Sequence, residues 1–241
     1  MKLIKNVLKK FGTIYNLQKY LRYKFHYFLL KDYKKLIDNH FKFLAKYGNM
    51  NKKLFEIAIG NFSSQSITFF ETGSSANWGA NSSLLFDSYV NKFGGKLITV
   101  DIREDANRYL NSKFSKKSFS FIENSLDFIK TYDQSFFKTI DLVYLDSYDL
   151  DINNPEPSMN HCLQEFLLLD ERIKVGSLIA IDDTPNLEAF KMYMEFNLNK
   201  NNTIEKYGYI PGKGTKVLEH QIMKNYKIIY QHYGVLLQKL K

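Results

Sequence analysis

The chain has 241 residues, 44% of them hydrophobic and 16% aromatic, enough for one large core or one domain with an appendage. A single cysteine, Cys162, excludes an intrachain disulfide framework, and no apolar run is long enough to span a bilayer. The net charge of +9 is concentrated: residues 1–50 hold twelve Lys or Arg against two Asp, and the rest of the chain is close to neutral.

The first residues lack the long apolar stretch and small-residue cleavage site of a signal peptide, so a cytoplasmic location is expected. Cys162 reads as a small buried apolar residue. Leu3, Val7, Phe11, Ile14, Leu17, Leu21, Phe25 and Phe28 then step by three or four, the stripe of a basic amphipathic helix with a break at Gly12-Thr13. Three roles stay open for residues 1–47. They pack over the domain's own sheet or against a second subunit of a homodimer, they lie on the anionic inner face of a membrane, or they bind nucleic acid. The aromatic residues disfavour the last. Tyr47 to Asn51 reads as a hinge, dividing the chain into 1–50 and 51–241, with a short helix from Lys52 to Ile59.

Ile67 to Phe70 is a short β-prone run that stops at small residues, with Glu71 closing it and Gly73 after it. A helix is expected over 80–93, stopped by Gly94-Gly95, then a strand over 96–101 and a helix over 104–113. Phe119 to Ile122 is a third strand and 125–131 a helix capped by Ser125. Ile140 to Leu145 is a fourth strand, 158–172 a helix, and Ser177 to Ile181 a fifth strand. Such alternation builds a doubly wound, Rossmann-like α/β fold around a mostly parallel sheet. Near the end come Pro211-Gly-Lys-Gly214, read as a mobile loop, and a helix over 215–224. Tyr226 to Gln231 and Val235 to Gln238 then flank a glycine-containing turn, an antiparallel hairpin. The expected sheet has seven strands.

Ligands of such sheets bind at the carboxyl ends of the strands. The loop after the first strand lacks the G-x-G-x-x-G of a nicotinamide site, and Glu71 there repels a pyrophosphate. Asp101 ends the second strand, where an acid accepts both hydroxyls of a ribose. A cation or amine beside a ribose describes S-adenosylmethionine. The run Phe69-Phe-Glu-Thr-Gly-Ser-Ser75 with Ile98-Thr-Val-Asp-Ile102 resembles the first two motifs of the class I S-adenosylmethionine-dependent methyltransferases. The resemblance covers roughly residues 52–241. It implies Glu71, Gly73, Ser74, Ser75, Asp101, Asn124, Ser125 and Asp146 as cofactor-binding residues, with Asn124 and Ser125 at the adenine and Trp78 either a lid or core.

Asp146 follows the fourth strand and Asp182-Asp183 the fifth. Clustered carboxylates repel unless a cation lies between them, and oxygen ligands suit Mg²⁺. These runs are similar to the metal-site strands of the catechol O-methyltransferase-like enzymes and to the macrocin-type sugar O-methyltransferases. The resemblance implies methylation of a small hydroxylated acceptor, sugar or catechol-like, at an Mg²⁺ held by Asp146, Asp182 and Asp183. The catechol branch has Asn where this chain has Asp183, and a lysine base where it has Asp149. The base is therefore Asp149 or His161, with Glu165 one turn beyond His161 to orient it or to lie on the surface. A methyltransferase acting on nucleic acid or an amine, and a non-catalytic membrane-associated module, stand as alternatives.

Overall fold

The computed structural model describes residues 18, 20–25, 27–30, 32–45, 50–74, 79–195 and 203–241. Five apolar runs form parallel strands, β1 (Ile67–Thr72), β2 (Gly95–Asp101), β3 (Ser118–Ile122), β4 (Leu142–Leu145) and β5 (Leu178–Ile181). The last two, β6 (Tyr226–Gln231) and β7 (Val235–Lys239), run antiparallel, β7 against β5 and β6 against β7. The sheet order is β3-β2-β1-β4-β5-β7-β6, the seven-stranded Rossmann-like arrangement expected. The order in which strands are added reverses between the parallel neighbours β1 and β4, and a crevice opens outside that point.

Strand periodicity sends successive side chains to opposite faces, and both faces are covered. Phe69, Tyr144 and Leu178 meet α2 (Tyr33–Phe43), α3 (Lys52–Gly60) and α4 (Ser82–Phe93) on one side. Phe70, Val143 and Ile179 meet α6 (Ser125–Thr131), α7 (Gln134–Phe137) and α8 (Glu156–Asp170) on the other. Helix α5 (Glu104–Asn111) links β2 to β3. Phe69 stacks on Phe86 at 4.7 Å between ring centres. Each such fully buried side chain contributes about 1.5–3 kcal/mol over its exposed state.

The N-terminal segment departs from the stripe read in the sequence. Residues 20–25 and 27–29 are helical (α1), and the buried side chains are Tyr23 and Tyr27. Tyr23 shares a hydrogen bond with the Ser88 hydroxyl on α4, and the Tyr27 hydroxyl donates to the Ser88 carbonyl at 3.1 Å. A buried phenol needs a partner for its hydroxyl, and Ser88 supplies one. Leu21, Phe25 and Phe28 instead lie outward, 58%, 67% and 79% exposed. The five earlier positions of the stripe, and residues 46–49 of the expected hinge, lie outside the described residues. Leu36, Ile37 and Phe41 of α2 share one core with β1 and α4. The division at 50/51 thus marks a change of charge and not a gap between two cores.

Helix α2 also holds the approach to α4. His40 Nε2 lies 2.6 Å from the Ala80 carbonyl, and Asn81 donates to the Leu44 carbonyl at 2.8 Å. Burial lowers His40 to about 4, so the ring is neutral near pH 7. Downstream, α9 (Leu187–Ala189) runs into a π-helical turn at Phe190–Glu195, and α10 (Thr203–Tyr207) follows. The helix expected over 215–224 is α11 (Thr215–Glu219) followed by a 3₁₀ turn, Gln221–Asn225. His220 between them is extended and breaks the run.

Glu71 fastens the sheet to α4. Its carboxylate has no exposure and accepts from Ser82 at 2.6 Å, Ser83 at 2.5 Å and Thr99 at 2.6 Å. Burial pushes Glu71 from 4.5 up to about 7, against the pull of these three donors. The native state therefore holds a proton that the unfolded chain gives up near 4.5. Stability from this group is full below that value and falls as pH rises to about 7, by roughly 3 kcal/mol. We expect Glu71→Gln to shrink the fall in stability between about pH 5 and about pH 8, read from urea midpoints. An equally steep fall in the variant would assign the effect to other groups.

Candidate functional site

A cavity of about 420 Å³ opens at the carboxyl ends of β1 to β4. Gly73 follows β1, Asp101 ends β2, Asn124 and Ser125 follow β3, and Asp146 and Asp149 follow β4; all six line it. Gly73 has φ +78°, and a Cβ there would stand 2.3 Å from the Asp146 carbonyl oxygen. Only glycine allows the two loops to touch. Ser75 and Trp78 lie outside the described residues.

Two expected cofactor contacts and one expected helix cap are altered. Glu71 does not line the cavity; it works from behind, placing the first turn of α4. The Ser74 hydroxyl is turned inward to Thr99 at 2.7 Å and is fully buried, so it is not offered to a ligand. The N-cap of α6 is Asn124, which accepts from the Leu126 N–H at 3.0 Å, with Ser125 inside the helix. The cap expected at Ser125 thus lies one residue earlier.

Asp101 is in place but engaged. Arg103 grips it through Nη2 at 2.7 Å and Nε at 3.0 Å, and Arg103 Nη2 also reaches the Ser74 carbonyl at 2.9 Å. That bidentate pair raises Arg103 above its ordinary value. The guanidinium side chain is 57% exposed, so it can turn outward when another donor takes the carboxylate. The sequence reading missed Arg103, although its position two residues after a strand-end acid is a signal for such a pair.

His161 sits in the wall of the same cavity. Its Nε2 is 3.0 Å from the Ser125 hydroxyl and 3.3 Å from Glu165 Oε1, and Tyr148 packs against its ring. Glu165 is 1% exposed and accepts from Ser147 at 2.6 Å. It is a buried bracket for His161 and Ser147, not a surface residue. These contacts hold His161 between the start of α6, after β3, and the loop after β4. Asp149 is exposed on the wall. Cys162 is buried, as expected, and 2% exposed.

Carboxylate oxygens of Asp146, Asp182 and Asp183 come within 4.8 Å of one another. Consecutive residues of a strand point to opposite faces, but Asp183 has φ +43°. This left-handed turn, which Asp tolerates, brings both carboxylates of the pair to one place. Asn51 donates to Asp182 Oδ1 at 2.7 Å and Tyr233 to Asp183 Oδ1 at 2.6 Å. Burial, with Asp182 and Asp183 alongside, pushes Asp146 well above the carboxylate range despite Lys213. Burial and Asp183 raise Asp182 in the same direction.

Lys213 is the residue that sequence placed wrongly. Its loop is not a mobile surface segment, since Pro211 to Gly214 are all buried. The ammonium is 2.6 Å from Asp146 Oδ1 and 3.3 Å from Asp183 Oδ2, and the side chain is 2% exposed. Burial opposes its charge, but the three acids hold it well above its ordinary value. The three carboxylates are hard donors of the kind Mg²⁺ takes, and the buried Asn51 amide oxygen beside them has no hydrogen-bond partner. This donor set fits a divalent ion.

No protein-family model and no curated protein matches the sequence. Solved structures do. MycE methyltransferase from the mycinamycin biosynthetic pathway, in complex with Mg, SAH and mycinamycin VI, superimposes with a TM-score of 0.57 at 14% identity. The match covers 87% of this chain and 53% of MycE, so the chain spans about half the length of that protein. A second crystal form with Mg and SAH gives 0.56 over the same shares at 14% identity. The O-methyltransferase TomG from Streptomyces achromogenes, in complex with SAM, reaches 0.47 at 13% identity over 87% of this chain and 90% of its own, too low to argue from. With β1 to β5 parallel, β6 and β7 antiparallel and the cavity at the switch point, the chain has the fold of the class I S-adenosylmethionine-dependent methyltransferases.

Proposed function

We propose that this protein transfers a methyl group from S-adenosylmethionine to a hydroxyl oxygen of a small molecule, sugar or catechol-like. The observation that carries the reading is the position of Asp146. It lines the cavity on one side and belongs to the three-acid cluster on the other. A methyl donor in the cavity and an acceptor oxygen at the cluster would meet there. The Mg and SAH in the MycE complexes support the same pairing.

Asp101 would accept hydrogen bonds from the ribose hydroxyls in place of those from Arg103, and Asn124 and Ser125 would border the adenine. Asp146, Asp182 and Asp183 would hold the ion. When bound, the cofactor supplies an electrophilic methyl and the ion a Lewis acid that favours the alkoxide of the acceptor. Asp149 lies on the cavity wall three residues beyond Asp146, and as the base it would take the acceptor's proton. His161, held by Ser125 and Glu165, keeps the adenine end in shape.

Isothermal titration with S-adenosylmethionine and S-adenosylhomocysteine tests the cavity. Asp101→Ala should weaken binding by roughly 1.5–3 kcal/mol, the worth of hydrogen bonds to a charged acceptor. No heat with either ligand on folded protein would sink the assignment. Turnover of a hydroxylated acceptor panel, read as S-adenosylhomocysteine release, tests the cluster. We expect loss of activity in EDTA, recovery with Mg²⁺, and Asp182→Ala lowering turnover far more than cofactor affinity. Asp149→Asn should lower turnover with cofactor binding unchanged. Full activity in EDTA and in Asp182→Ala would make the acids structural.

A second reading concerns location. Leu21, Phe25, Phe28 and Leu29 are exposed on α1, within the strongly basic first fifty residues. Apolar side chains among lysines suit an anionic bilayer surface. Co-sedimentation with anionic vesicles should occur and drop when Phe25 and Phe28 are both changed to Ser. Binding unaffected by that double change would remove α1 from the contact.

A further inference from the structure

The acid cluster is built around a cation that belongs to the chain itself. Lys213 reaches Asp146 and Asp183 and does not line the cavity, so it approaches from behind the cluster. Its loop is pressed onto the end of β5. The Lys213 N–H donates to the Asp183 carbonyl at 2.8 Å, and the Gly214 N–H to the Thr184 hydroxyl at 2.9 Å. A Cβ on Gly212 would lie 2.7 Å from the Asp183 carbonyl oxygen, and one on Gly214 2.7 Å from the Thr184 hydroxyl. The glycines on both sides of Lys213 thus let the loop come close enough to deliver the ammonium, and the same tight packing keeps it there.

We infer that Lys213 is the resident cation of this centre, holding Asp146 and Asp183 in ligating positions without an ion and opposing the charge of any divalent ion that enters. The inference rests on the metal reading above. A lone cluster of three carboxylates would fly apart or take up protons, and one ammonium stabilises it without neutralising it. A divalent ion then meets a preformed site from which one negative charge has been subtracted. It also meets a competitor for Asp146 Oδ1. Asn51, at the start of α3, donates to Asp182 and completes the set of contacts around the three acids. Lys213 is in this sense a positioning residue. It makes ion binding weak and reversible, so that acceptor and ion can enter together.

The test is Mn²⁺ binding, by electron paramagnetic resonance and calorimetry, on full-length protein and Lys213→Met, with no acceptor or turnover involved. Removing a buried charge a few ångströms from the ion should tighten Mn²⁺ by about tenfold or more. In EDTA the variant should melt at lower temperature than wild type, and Mn²⁺ should raise its melting temperature by more than it raises that of wild type. If Lys213→Met fails to fold in EDTA, Lys213→Gln keeps a donor for Asp146 without the charge and is measured instead. Equal or weaker Mn²⁺ affinity in the variants overturns the inference and leaves the metal reading standing, since a purely structural lysine would loosen the site when lost. No Mn²⁺ binding by wild type or either variant overturns both.

Discussion

The loop after β1 and the loop after β4 touch backbone to backbone, with no side chain between them at Gly73. That contact lies at the switch point of the sheet. It sets the spacing between the cavity over β1, β2 and β3 and the acids at the ends of β4 and β5. A side chain at Gly73 would wedge Asp146 away from the cavity it lines. Asp146 can belong to both halves of the site only because the two loops are this close.

The fold buries carboxylates in two different ways. Glu71 is surrounded by three neutral hydroxyl donors, from α4 and β2, and among the described residues no cation pairs with it. Its environment favours protonation, and its work is mechanical: it joins two strands and a helix N-terminus. Asp146 and Asp183 are paired with a buried ammonium, and Asp182 with an amide. Hydroxyls satisfy lone pairs without cancelling charge, whereas an ammonium does both. The first arrangement makes a clamp. The second gathers three acids and an ammonium at one place, where burial and the neighbouring carboxylates also raise Asp146 and Asp182.

The basic N-terminal segment is not a simple appendage. Helix α2 shares the core of the sheet and, through His40 and Asn81, fixes the chain that leads into α4. Asn51, at the start of α3, reaches the acid cluster itself. Helix α1 docks through two tyrosine hydroxyls and leaves its aliphatic and phenylalanine side outward. Hydrophobic periodicity put Leu21, Phe25 and Phe28 on one face, and these described positions do share one. It could not say which face would be covered, because tyrosines can bury their rings when a partner such as Ser88 takes the hydroxyl.

Most of the sheet was legible in the sequence because strand signals are local. Apolar runs such as Ile98 to Val100 and Leu142 to Leu145 end at acids or small residues, and that punctuation marks both the strand and the edge where ligands bind. Hence the strand count, the terminal hairpin and the placement of Asp101, Asp146, Asp182 and Asp183 at one edge followed from sequence alone. Pairing between distant side chains did not. Glu71 with Ser82 and Thr99, Arg103 with the Ser74 carbonyl, and Asp146 with Lys213 join residues whose spacing follows no helical or strand period. Pro211 to Gly214 shows the limit: glycine-rich sequence reads as a mobile loop, yet here the glycines remove side chains so that backbone can pack on backbone. Whether a glycine loosens a chain or lets it pack closely depends on what lies opposite, and only the tertiary structure decides that.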